Sequence, residues 1–191
     1  MSKEINLQSI AQGLKQVDEK TGKEFLEAAK DLVSKGRVNI HFGTEDLNFD
    51  KANVVAFKEN DNIAVGVRYK EKDGIVAGSV LSLVFNANKE LVSYQELVIE
   101  DADENKATYA YFVDNKKIQG DTIDKDGEIA PQGWTSCMNN CLASMGLAGW
   151  VINLFIVLCA AACGTVILCV ACIEGPLLAY TYEITYCLDR C

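Results

Sequence analysis

All eight cysteines of this 191-residue chain fall between Cys137 and Cys191, and the first 130 residues have none. That placement constrains the fold: one part must hold together by an ordinary core, while the other can be stapled by disulfides. Charge divides at the same point. Residues 1–130 carry 24 acidic and 17 basic side chains and the only histidine, His41. Residues 131–191 carry only Glu174, Glu183, Asp189 and Arg190. Neither part is basic, so the electrostatic footprint of a nucleic-acid partner is missing and none is expected. The C-terminal part also lacks the cationic face that draws a peptide to anionic lipid.

Two helical patterns open the chain. Leu7, Ile10, Leu14 and Val17 follow a 3.6-residue period, and Phe25, Leu26, Ala29, Leu32 and Val33 form a second stripe stopped by Gly36. From Val38 the period becomes two. Segments 53–57, 62–69, 78–86, 91–99 and 106–113 are rich in strand formers, and clusters such as Lys72-Asp73-Gly74 and Asp114-Asn115 mark turns between them. Short spacers imply hairpins, so residues 1–130 are expected to form an α+β domain with two helices on one face of an antiparallel β-meander.

Residues 114–133 read as a polar linker ending in Ala130, Pro131, Gln132 and Gly133, a candidate region for proteolytic cleavage. Beyond it, 129–173 contains no charge. Leu147 to Ile173 is long enough to span a bilayer as one helix, for which about 20 apolar residues suffice. It reads equally as two buried helices broken at Gly164. Pro176 ends whatever precedes it, and Leu177 to Leu188 offers a last helix.

The cysteines are spaced Cys137-x3-Cys141, Cys159-x3-Cys163, Cys169-x2-Cys172 and Cys187-x3-Cys191. On a helix, an x3 pair sits on one face one turn apart, with nearly parallel Cβ vectors that suit bonding to another segment better than bonding within the pair. Joining Cys137 and Cys141 to Cys187 and Cys191, and the inner pairs to each other, is the favoured scheme among the 105 that eight cysteines allow. A zinc or iron–sulfur site is disfavoured by the x3 spacing and by apolar surroundings without basic residues. A redox CxxC enzyme would need an exposed thiol at a helix start. Free cysteines acting as small hydrophobes in a membrane span remain a competing reading for Cys159 to Cys172.

Catalytic motifs are missing: there is no GxGxxG, P-loop or HExxH. His41 is placed in an apparent strand, Val38 to Phe42, as a structural residue. The carboxylates Glu96, Glu100, Asp101, Asp103 and Glu104 read as a solvated turn lacking the spacing of a calcium loop. No enzyme, cofactor or metal is expected. Met1 to Leu7 shows no apolar h-region and no twin arginine, so no signal peptide is expected, whereas the cysteine content suggests an oxidising compartment. Export by a signal-independent route followed by oxidation, or cysteines that never pair, would each reconcile the two.

The run Gly133-Trp134-Thr135-Ser136-Cys137-Met138-Asn139-Asn140-Cys141, followed by Gly149-Trp150, an apolar Cys-x3-Cys, a close cysteine pair and a terminal Cys-x3-Cys, is similar to the halocin-like, microhalocin-type cysteine-rich bacteriocin domain. The resemblance covers about 60 residues. It implies a precursor with an acidic immunity or masking domain over 1–130 and an all-α, disulfide-rich antimicrobial peptide over 134–191. The eight cysteines would be its disulfide positions. The implied partners are a target-cell membrane or membrane receptor, a processing protease, an exporter, and an intramolecular contact between the two parts. The chain would be made in the cytoplasm, with the peptide secreted and the N-terminal domain retained. An uncleaved, membrane-anchored protein displaying its sheet domain is the alternative.

Overall fold

The computed structural model describes residues 13–72, 74–125, 134–162 and 177–191. Its first helix, α1 (Glu19–Ser34), starts where Asp18 adopts an extended backbone and its carboxylate accepts from the Thr21 N–H and hydroxyl. It stops at Gly36, whose φ of +65° suits glycine; Gly36 N–H donates to Val33 O and Arg37 N–H to Leu32 O, closing both ends of a Schellman cap. Phe25, Ala29 and Val33 are its buried stripe.

Seven antiparallel strands form one sheet in sequence order: β1 (Leu14–Gln16), β2 (Leu47–Phe57), β3 (Ile63–Tyr69), β4 (Val80–Phe85), β5 (Leu91–Asp101), β6 (Lys106–Val113) and β7 (Lys116–Asp124). Neighbours in sequence are neighbours in space; short turns join β2 to β3 and β4 through β7, whereas α1 lies between β1 and β2 and a longer loop between β3 and β4. The tightest is Asp114-Asn115, both at positive φ, which sets Val113 opposite Lys116 in a two-residue hairpin.

Four expectations change. Leu14 belongs to the edge strand β1, paired with Phe57, rather than to a helix; Leu7 and Ile10 lie outside the described residues. His41 lies in an irregular connection, not a strand, although Val38, Ile40 and Phe42 still point their apolar side chains to the core on the α1 side. The polar stretch after Asn115 is a strand, β7, and not linker. Finally, Glu96 is buried within β5 and is no part of a solvated turn, whereas Glu100, Asp101, Asp103 and Glu104 are exposed. The proposed cleavage residues Ala130, Pro131, Gln132 and Gly133 lie outside the described residues.

The C-terminal part contributes α2 (Trp134–Ser144), α3 (Gly149–Ala162), a 3-10 turn (Leu178–Tyr180) and α4 (Thr181–Leu188). Alternation along the strands separates two faces. Val65, Val67, Leu81, Leu83 and Phe85 meet α1 on one. Leu97, Ile99, Ala107, Tyr109 and Tyr111 meet the C-terminal helices on the other, in a cluster with Met138, Leu142, Leu147, Val151, Leu154, Phe155, Leu158 and Ile184. Among the described residues no helix is long and apolar enough to cross a membrane.

Candidate functional site at the sheet–helix interface

The C-terminal helices meet the sheet most closely where the 3-10 turn lies on β3. A Cβ at Gly66 would fall 2.7 Å from the Ala179 nitrogen and 2.9 Å from its Cα, so only glycine lets the two backbones approach this far. Beside it, Leu178 is fully buried among Val55, Phe57, Ala64 and Val84. Gly78, at φ +103°, plays the matching part for α3: a Cβ there would meet the Val151 side chain at 2.4 Å.

Polar groups fix the register of this contact. The Ala179 carbonyl accepts from Arg68 Nε at 2.8 Å, from Arg68 Nη2 at 2.7 Å and from Asn53 Nδ2 at 2.8 Å. Arg68 Nη2 also donates to Glu183 Oε1 at 2.6 Å, in an ion pair whose side chains are 19% and 11% exposed. The guanidinium lies 4.0 Å from the Tyr180 ring centroid. Burial pushes the Tyr180 phenol up to about 12. Glu183 Oε2 and Asn153 Oδ1 are buried and find no partner among the described residues.

Magnitudes separate the roles of these groups. Each fully buried Leu or Phe contributes about 1.5–3 kcal/mol, so the dozen apolar side chains of the cluster dominate adhesion. A buried ion pair adds little net stability against its desolvation, and its best attested role is to select one arrangement. Adhesion therefore comes from the apolar cluster and position from Arg68, Asn53 and Gly66.

Two disulfides close the outer side of this layer. Cys137 bonds Cys191 and Cys141 bonds Cys187, with Cα separations of 5.8 and 5.7 Å. The outer cysteine pairs thus join between segments, one x3 pair facing the other, as the one-turn spacing favours. Cys187 is fully buried, whereas Cys137 and Cys191 are exposed. Of the inner set, Cys159 lies on α3, while Cys163, Cys169 and Cys172, with Gly164 and Pro176, lie outside the described residues. On α4, Tyr182 is exposed, while Tyr186, one turn later, is half-buried against the apolar cluster and Arg190 stacks over its ring at 3.5 Å.

The opposite face holds a second polar cluster. Buried Glu96 accepts from the Tyr69 hydroxyl at 2.5 Å and the His41 N–H at 3.0 Å, while His41 Nδ1 lies 2.6 Å from its other oxygen. The His41 ring stacks on Phe112 with centroids 3.9 Å apart. Burial, reinforced by the Glu96 carboxylate, holds the Tyr69 phenol well above its usual range, so it stays a donor. These contacts satisfy a buried carboxylate and anchor the 38–43 connection. Among the described residues no three His, Cys, Asp or Glu side chains converge on a metal-sized site.

Sequence reasoning did not single out Asn53, Gly66, Arg68 or Glu183 as a set. A signal was present: Arg68 is a lone charge in an apolar strand, and Glu183 is one of four charges after residue 130. In comparisons with known proteins, no family model, curated protein or solved structure matches the chain.

Proposed function

We propose that the chain is the precursor of a secreted, disulfide-rich antimicrobial peptide. In this reading its sheet domain masks the peptide's apolar surface in the producing cell and protects that cell. The observation that supports this reading most is the shared cluster. Helices α2 to α4 carry a bulky apolar face, with Glu183 its one described charge, and that face is buried against β4, β5 and β6 of the N-terminal domain. Set free, such a face would seek another apolar phase. With no basic patch to attract it to lipid headgroups, hydrophobic insertion or a receptor would bring it to target cells. Tyr182, exposed on α4, suits a membrane–water boundary, where aromatic rings with a polar edge collect. The resemblance of the cysteine segment to halocin-like bacteriocins points the same way, and cleavage before Trp134 would separate the parts.

The test is to express the chain in its producer and determine the mass of what reaches the medium, then apply oxidised 134–191 to sensitive cells. A secreted, bridged fragment that kills is the expected result. Recovery only of the intact chain in membranes, with inactive fragment, would replace this reading with that of an anchored display protein.

A further inference from the structure

We propose that the N-terminal sheet has a second function, as the folding template that sets the disulfide pairing of the C-terminal part. The helices bearing the outer cysteines lie 46 and 54 residues apart along the chain at the bonded positions. Their own segment holds few features that would fix how they meet. Among the described residues α2 carries no charge and α4 carries only Glu183, whose partner is Arg68 of the sheet, so no ion pair between the two helices sets their register. The register-setting contacts are instead made with the sheet. Asn53 and Arg68 grip the Ala179 carbonyl, Arg68 pairs Glu183, and Gly66 admits the backbone just before α4. From the other side, Met138 and Leu142 of α2 enter the cluster that holds Leu97, Tyr109 and Tyr111. The sheet thus locates α4 at Leu178–Glu183 and α2 at Met138–Leu142. Fixing these two places brings Cys141 to Cys187 and Cys137 to Cys191.

The chemistry needs an external disulfide as oxidant, such as oxidised glutathione. One cysteine thiolate attacks it to form a mixed disulfide and expels one reduced thiol. The partner thiolate, held alongside, attacks the protein sulfur and expels the second. Each bridge thus removes two electrons and two protons from the protein, and the oxidant leaves as two thiols. The template acts on the second step, where it raises the local concentration of the correct thiolate over its competitors.

Reduced, denatured full-length chain is diluted into a glutathione redox buffer, and the bridges are mapped after cleavage at Met138, Met145 and Arg190, which puts the four outer cysteines on separate fragments. Wild type is expected to give Cys137–Cys191 and Cys141–Cys187 as the dominant outer pairs. Arg68→Ala and Gly66→Val are expected to lose these pairs several-fold, while amide exchange shows that β3 to β5 have still formed. Asp18→Ala, which weakens the cap of α1 on the far face, is expected to pair as wild type does. Asn53→Ala removes only the bonds from Asn53 Nδ2 to the Leu178 and Ala179 carbonyls and carries the test if the other two fail to fold; its native-pair yield is expected to fall. Native pairing at wild-type rate and yield in the folded interface variants would overturn the proposal. Equal mispairing in Asp18→Ala would overturn it too, by showing general instability as the cause. The outcome is independent of whether the peptide acts on membranes.

Discussion

The two faces of the sheet are covered in different ways. On one side α1 is a conventional amphipathic helix: capped by Asp18, closed at Gly36, with ion pairs Glu19–Lys23 and Asp31–Lys35 on its solvent side. Its loop to β2 is tied down by a carboxylate, Glu96, reached from His41 and Tyr69. On the other side the cover is made of short helices with almost no charge, held by apolar burial, one ion pair and two disulfides. The first cover carries its own solubility. The second is as apolar as a core, and it is joined to the sheet domain through 126–133. On the proposed reading the second cover is the cargo that the sheet masks.

Breaking the C-terminal side should have the largest effect. Phe155→Ala removes a fully buried ring from the cluster and is expected to destabilise the C-terminal layer by about 3–5 kcal/mol, read by urea unfolding. Amide exchange should rise in α2 to α4 while β3 to β5 stay protected. A uniform rise in both layers would mean that the two covers do not differ.

Arg68→Ala comes next. It leaves Glu183 buried without a partner, at a cost of about 2–3 kcal/mol, below the value for a fully buried pair because Arg68 keeps some contact with solvent. The double variant Arg68→Met with Glu183→Leu should recover most of the loss. Failure to recover would mean that the contacts to Ala179, and not the ion pair, carry the effect. On the α1 side, Glu96→Gln keeps the shape but weakens the charge-assisted bonds to Tyr69 and His41, and should lower global stability by about 1–2 kcal/mol. Asp18→Ala should cost about 1 kcal/mol in the same assay. Both should leave exchange in α2 to α4 no more sensitive than exchange in the sheet.

The same contrast explains what could be read from the sequence. Strands β3 and β4 were legible as apolar runs buried on both faces, and β2, β5 and β6 as valine- and tyrosine-rich runs that end at turn residues. Strand β7 was not, because it is an edge strand exposed on both faces, so Ile118 and Ile123 among lysines and aspartates show no apolar alternation. Only the Asp114-Asn115 turn announced it. His41 misled in the opposite sense: Val38, Ile40 and Phe42 alternate, yet they cover the core from a loop without pairing. Glu96 reads as a surface charge in the sequence because nothing local marks a carboxylate whose partners, His41 and Tyr69, lie 55 and 27 residues away. The between-segment joining of the outer cysteines was legible because helical x3 spacing is a local property. The Arg68–Glu183 contact, 115 residues apart, was not.

The central claim is that the sheet masks an apolar, membrane-active layer. It is tested most directly by dye release from liposomes on adding, at equal concentration, the intact oxidised chain and the oxidised 134–191 peptide. The account predicts leakage from the peptide, silence from the intact chain, and intermediate leakage from the Arg68→Ala chain. Equal leakage from intact chain and peptide, or none from the peptide, would contradict it.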